Sequence, residues 1–353
     1  MFGGFDPQYA RNRVLRMGLR RLGARVRSCR VEPRRRLVRR SLELVLAYAR
    51  GPWGDALLVP EFRHKDVPLA RLLASISGRP LIVDPLVSRF DTKVDDWGSA
   101  APGSLQADHN RRIDRASVRF ADLVLCDTPQ HARYFQEHYR VPRERCAVVP
   151  VGFDDTVFRP LAEPPPAPFR VAFYGSYLTL HGVDVIVAAA EALRADDIRF
   201  VMVGSGQTFD HVRRAQARGL AIDIVPPLAP PALVARLGQA HVLLGIFGKS
   251  PKAARVVPNK VYQGLALGRA LVTADTPAIR AFFEPGVHLE TVPAGDPQAL
   301  AETIRALRAD PGRRARLAAA GAAHVHACFT PEHVAARLLE AGRRVLGWEV
   351  PGA

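Results

Sequence analysis

Lys249-Ser-Pro-Lys-Ala-Ala-Arg-Val-Val-Pro-Asn-Lys260-Val-Tyr-Gln263-Gly-Leu-Ala-Leu-Gly268 follows an apolar run, Val242 to Phe247, and the two together decide how the chain is read. The run reads as a buried strand, and the segment opens a short helix with Pro258 near its first turn and Gly268 just past its end. A strand, a basic loop and a helix N-terminus in succession are how α/β proteins hold phosphate. No Asp or Glu occurs between Asp223 and Asp275, whereas Arg236, Lys249, Lys252, Arg255, Lys260 and Arg269 all fall there. The window is expected to be strongly electropositive.

Lys260 is the informative residue. A cation in the first turn of a helix opposes the macrodipole at a cost of about 0.3–1 kcal/mol unless an anion sits nearby. A bound diphosphate would remove that cost. The competing reading is a solvated basic loop on a helix that begins one turn later.

With 353 residues, 48% hydrophobic and 24% charged, the chain has the balance of a soluble globular protein and length for two domains. Cys29, Cys126, Cys146 and Cys328 show neither CxxC pairing nor a His at zinc spacing. A reduced, cytoplasmic protein without a structural metal is the simplest reading. No apolar run approaches the roughly 18 residues of a membrane span, and the N-terminus lacks the apolar core of a signal peptide, so the expectation is a soluble or membrane-peripheral protein. The net charge of +16 is uneven: residues 1–50 carry fourteen Arg against Asp6, Glu32 and Glu43.

Outward from the opening stretch, strands alternate with helices. Residues 8–23 form an amphipathic basic helix, preceded by Met1 to Asp6, which resembles the end of a strand and its Gly-rich turn; this suggests a true start upstream or an unusually short first strand. Then come the alternating Ala24 to Arg30, a basic helix from Arg34 to Arg50 with Leu37, Val38, Leu42, Val45 and Ala49 as its stripe, and strands at Ala56–Val59, Pro80–Val83, Leu123–Cys126 and Ala147–Val151 with helices between them. The segment Arg159 to Phe169 is proline-rich and reads as a stiff linker. The alternation restarts at Val171. The fold class is therefore α/β, with parallel, doubly wound sheets in two Rossmann-like domains facing a cleft. The expected division is 1–160, 169–330, and a C-terminal helix in 331–353 packing back toward the N-terminal domain.

The pattern now resembles a known family. Phe173 to Gly182, Val201-Met-Val-Gly-Ser-Gly206 and above all Val256 to Pro277 are similar to the nucleotide-sugar domain of the retaining, metal-independent GT-B glycosyltransferases of family four, the group 1 type. Asn12-Arg-Val-Leu, Val83-Asp-Pro, Ala121 to Thr128 and Val149 to Asp154 match its first domain more loosely. The resemblance implies transfer of a sugar from a nucleotide diphosphate sugar, UDP or GDP type, with retention, to a saccharide or lipid-linked acceptor, with no further cofactor and no metal. The family's pair of glutamates with seven residues between them is replaced here by Arg255 and Gln263. Gln263 still serves ribose hydroxyls, whereas Arg255 accepts no hydrogen bond and is better suited to phosphate. The family's Arg and Lys after the first strand of this domain become Ser176 or Tyr177 and His181. A first-domain His near the reaction centre becomes Asp84, with His64 as the other candidate.

Departure of a diphosphate needs positive charge aimed at its oxygens. Lys260 and Arg255, with Asp84 and His181, are the expected catalytic group. Gly175, Ser176, Gly204, Gly206, Pro226, Leu228, Lys252, Asn259 and Gln263 are the expected donor-binding group, with Val225-Pro-Pro-Leu228 flanking the base. The glycines read equally as turn formers, the histidines as surface or capping residues, and Asp84 as a cap. Acceptor recognition is expected from first-domain loops such as Arg89 to Gln106. Basic residues 11–40 suit an anionic membrane surface at the inner face of the cytoplasmic membrane; without aromatic interleaving they suit nucleic acid poorly. A catalytically silent nucleotide-binding protein and a basic adaptor are the alternatives.

Overall fold

The computed structural model describes residues 1–32, 36–51 and 54–348. They divide into two compact units, Met1–Val151 with residues from Thr330 onward, and Gly152–Phe329. The described strands pair in parallel throughout, as the sequence alternation requires.

The first unit runs β1 (Phe2–Gly3), α1 (Ala10–Arg21), β2 (Cys29–Arg30), α2 (Leu37–Ala49), β3 (Leu57–Val59), α3 (Val67–Ile76), β4 (Leu81–Val83), α4 (Leu105–Phe120), β5 (Leu123–Cys126), α5 (Pro129–Tyr139) and β6 (Cys146–Val148). Its sheet has the order β3-β4-β5-β6, and β1 pairs with β2. Only Cys29 and Arg30 of the alternating stretch from Ala24 form a strand. Of the predicted second helix, positions 34 and 35 lie outside the described residues. Asp91–Asp96 forms a π-helical turn inside the segment expected to be a loop, with Asp91, Val94 and Asp96 buried.

Alternate strand residues feed two cores, as the pleat dictates. Leu57, Val59, Leu81, Val83 and Val124 pack under α2 to α5, through residues such as Leu44, Val67, Val118 and Phe135. Leu58, Ile82, Leu123 and Leu125 face the other way, onto Val14 and Leu15 of α1 and onto Val334 and Leu338, which belong to a helix from the far end of the chain. The two covering helices meet at Gly18, where an added Cβ would stand 1.8 Å from the Pro331 carbonyl oxygen. Gly18→Ala should therefore destabilise the first unit by about 1–3 kcal/mol through overpacking, although alanine is the better helix former. Denaturant unfolding checks this, and a stabilised variant would show that the helices separate freely.

The second unit runs β7 (Phe169–Gly175), α6 (Val183–Ala192), β8 (Ile198–Gly204), α7 (Phe209–Ala217), β9 (Ile222–Val225), α8 (Pro230–Leu237), β10 (Val242–Leu244), α9 (Asn259–Ala266), β11 (Ala270–Ala274), α10 (Pro277–Arg280), β12 (Glu290–Val292), α11 (Pro297–Ala309) and α12 (Pro311–Cys328). The last helix, α13 (Pro331–Leu346), is the one that covers the first unit's sheet. The six described strands have the order β12-β11-β10-β7-β8-β9, so the winding reverses between β7 and β10. Ligands of open α/β sheets bind at that switch point, beyond the carboxyl ends of the strands.

The boundary falls at Val151–Gly152, ahead of the proline-rich segment. That segment is fastened to the second unit: Leu161 N–H donates to Leu267 O at 3.1 Å, and the Arg269 guanidinium donates to the carbonyls of Ala162 and Gly238 at 2.5 and 2.8 Å. A linker so held behaves as part of the fold it precedes. None of the described helices is long and apolar enough to cross a membrane.

Candidate active site

At the switch point, β7 ends at Gly175 with φ of +153°, a conformation that disfavours a side chain. A Cβ here would approach the His181 ring at 3.0 Å and the Lys260 amine at 3.1 Å. Both groups thus converge on one glycine. Gly204 and Gly206, at the end of β8, have a packing reason of their own: a Cβ would lie 2.0 Å from Gly175 O and 1.8 Å from Ser176 O, respectively. The two strand-end turns lie backbone against backbone, and Ser176 stays exposed. Tyr177 is core: it stacks between Phe173 and Phe209, and its φ of 44° is unusual for a non-glycine residue.

α9 begins at Asn259 with Pro258 as its N-cap, no side chain caps it, and its first turn holds no acid. Lys260 is its second residue, and only 5% of it is exposed. The solvated reading is thereby overturned. The Lys260 amine lies 4.4 Å from the centre of the Phe173 ring and has no hydrogen-bond partner among the described residues. Burial holds it well below the usual lysine range. An isolated buried ammonium costs several kcal/mol, so such a site is stable only with a nearly neutral amine or with an anion beside it.

His181 is held by the same fold. Its Nδ1 accepts the Leu178 N–H at 3.2 Å, which leaves the proton of the neutral ring on Nε2 as a donor. Burial, then the charges of Lys260 and Lys252, push its pKa down to about 2. The ring is therefore neutral at physiological pH.

Gln263, one turn beyond Lys260, is buried and accepts the Tyr174 hydroxyl at 2.8 Å through Oε1. This bond orients the amide so that its NH2 group is the end left to donate. Lys252 is buried, Arg255 and Asn259 are half-buried, and Lys249 is exposed, with its stem across Gly295. Pro226 is exposed and Leu228 half-buried in the turn after β9.

Asp84 belongs to the first unit. It lies fully buried beyond β4, where its Oδ2 accepts from Arg11 Nε at 2.5 Å. Arg11 also donates to Val149 O and Pro150 O at 2.9 and 3.2 Å. Burial raises the Asp84 pKa, against the pull of Arg11. Beyond β3, Glu61 accepts from Asn12 Nδ2 at 2.7 Å, and burial together with Asp84 pushes its pKa up to about 8. That carboxyl keeps its proton near neutrality and can donate. His64 is tied down, with Nε2 donating to Val87 O at 3.1 Å and Asp114 3.5 Å away.

The sequence reading missed Phe173, Tyr174, Glu61 and Arg11. Aromatic residues just before a strand-end glycine were the available signal for the first two. The pairing of Arg11 with Asp84 spans 73 residues and has no local signature.

The chain is similar in sequence and fold to known proteins. Residues 185–340 match a family described as glycosyl transferase-like, and residues 6–152 match a glycosyl transferase 4-like domain. The D-inositol 3-phosphate glycosyltransferase of Nocardia farcinica is 30% identical over 68% of this chain and 56% of its own length. That of Xylanimonas cellulosilytica is 29% identical over 72% and 65%. The chain thus spans about half to two-thirds of the length of these curated relatives. Among solved structures, Anabaena HepE in complex with UDP and glucose superposes with a TM-score of 0.68 at 16% identity, covering 96% of this chain and 97% of that one. Sucrose-phosphate synthase from Thermosynechococcus elongatus gives 0.68 at 17%, covering 90% and 81%.

Proposed function

The chain belongs to the GT-B glycosyltransferases of the group 1 type, and from that premise we propose that it moves a sugar from a UDP-type nucleotide sugar to a saccharide or lipid-linked acceptor with retention and without a metal. The observation that carries this reading is the buried amine of Lys260 in the first turn of α9, which lies close to Gly175 with no acid in that turn and no hydrogen-bond partner among the described residues. A diphosphate supplies an anion for it.

In the proposed reaction the bond from the anomeric carbon to the diphosphate oxygen breaks while the acceptor oxygen attacks from the same face. The departing diphosphate oxygen takes the acceptor proton, so no protein carboxylate is needed as base. Lys260, Lys252, Arg255 and the N–H groups opening α9 at Asn259 stabilise the charge that develops on the diphosphate. Gly175 and Ser176 let backbone approach phosphate, with Gly204 and Gly206 keeping the second turn clear. The neutral His181 donates from Nε2, Gln263 serves the ribose, and Pro226 with Leu228 flanks the base. Asp84, paired with Arg11, acts by shaping the end of the first unit's sheet.

Gln263→Leu should weaken donor binding about tenfold, through one lost hydrogen bond to a hydroxyl and the Tyr174 hydroxyl left unpaired. Isothermal titration with UDP and UDP-sugars measures this, and unchanged affinity removes Gln263 from the site. The function itself is tested by thermal shift across UDP, GDP and ADP sugars, followed by transfer assays on saccharide, lipid-linked and D-inositol 3-phosphate acceptors, the last taken from the relatives' names. Selective stabilisation with no turnover on any acceptor would instead favour a silent nucleotide-binding protein, for which the Arg255 and Gln263 replacements give a specific reason.

A further inference from the structure

The apolar stripe of α2 faces solvent. Val38, Leu42 and Leu46 are 75%, 62% and 53% exposed, and Leu37 and Val45 are exposed too. The residues turned inward are Leu44 and Arg40, the latter because its guanidinium meets the buried Asp66 carboxylate at 2.6 Å. At about 100° per residue, Val38, Leu42, Val45, Leu46 and Ala49 occupy one continuous arc of roughly 100°. Arg39 and Arg50 border that arc on one side, and Arg36 precedes the helix; all three are exposed. Residues 1–50 carry a large excess of arginine. No described residue buries the arc.

A contiguous apolar arc edged by arginines is unfavourable in water and suited to a boundary where acyl chains lie beneath anionic headgroups. A second copy of the chain would bring the same arginines against one another, whereas an anionic surface complements them. We propose that α2 lies in the plane of an anionic lipid surface, with Val38, Leu42, Val45 and Leu46 entering the acyl boundary and Arg36, Arg39 and Arg50 on the headgroups. The attachment combines insertion with electrostatics. It stands apart from the transferase reading, because it uses none of the residues assigned to the donor.

Vesicle flotation of the full chain tests it, with phosphatidylcholine vesicles with and without about one-third phosphatidylglycerol. Wild type should float with the anionic vesicles and weakly with the neutral ones. Leu42→Glu/Leu46→Glu should reduce anionic binding about tenfold or more, and Arg39→Glu/Arg50→Glu should do so while removing its salt dependence. All four positions are exposed, so circular dichroism should match wild type, and thermal unfolding should do so for the leucine variant and fall only slightly where Arg39→Glu replaces the ion pair to Glu43 by like charges. Equal flotation of the leucine variant would overturn insertion. A concentration-dependent dimer that the leucine variant abolishes, with no flotation of wild type, would assign the face to a second copy and overturn the proposal outright.

Discussion

Replacing Lys260 with methionine should lower kcat by about 10²–10³-fold, the usual loss when a preorganised charge is taken from a developing oxyanion, and leave the fold intact or more stable. The two halves of this expectation have one origin. Methionine fills nearly the same volume against Phe173, and it removes an amine that is buried without a hydrogen-bond partner among the described residues. Taking away a buried amine that must give up its proton to be tolerated there relieves the free protein. A structural lysine would behave in the opposite way, since its loss would lower the melting temperature and spare turnover in the surviving folded fraction. Steady-state kinetics and thermal unfolding on the same preparation separate the two, and full activity in the methionine variant would sink the proposed mechanism.

Donor binding should also take up a proton, and affinity should fall as pH rises. In the free protein, burial holds the Lys260 pKa well below its ordinary value, so over the range between that depressed value and the ordinary one, about 10.4, the amine is largely neutral. A diphosphate beside it favours the charged form and drives the pKa up. Binding within that window therefore recruits a proton, and titrations in two buffers of different ionisation enthalpy should disagree by an amount that vanishes in Lys260→Met. A buffer-independent enthalpy in the wild type would mean that the lysine is already charged or distant from the ligand. His181 contributes a separate signature to the free protein. Its folded pKa, about 2, lies below the ordinary histidine value, so the folded state binds fewer protons than the unfolded one. Its contribution is complete above about pH 6.5 and is lost as pH falls toward 2.

The fold class was legible because strand-end glycines and apolar runs are local signals, and a parallel sheet is the arrangement that alternating runs of that length permit. The helix opening at Asn259 was equally readable from Pro258 and Gly268, which placed Lys260 in a first turn. What local pattern could not supply was direction. The stripe Leu37, Val38, Leu42, Val45 and Ala49 is periodic, and periodicity ordinarily marks the buried face; here Arg40 pairs with Asp66 and Leu44 enters the core, so the periodic face points outward. Asp84 shows the same limit. Its environment is set by Arg11 and by carbonyls from residues 149 and 150, distant in sequence. Gly204 and Gly206 read equally as turn formers or ligand contacts, and the backbone oxygens they admit lie on a neighbouring strand end.

Because α13 completes the face opposite α2 to α5 on the first unit's sheet, the portion of the chain that begins synthesis first cannot finish folding until Leu338 and Ala341 have left the ribosome. The intervening 178 residues, Gly152–Phe329, have no such wait, and assemble while Val14, Leu15, Leu58 and Leu123 are still uncovered. A nascent chain arrested before Pro331 should accordingly present a finished second unit joined to a sticky, chaperone-dependent first unit, an inversion of the usual vectorial order.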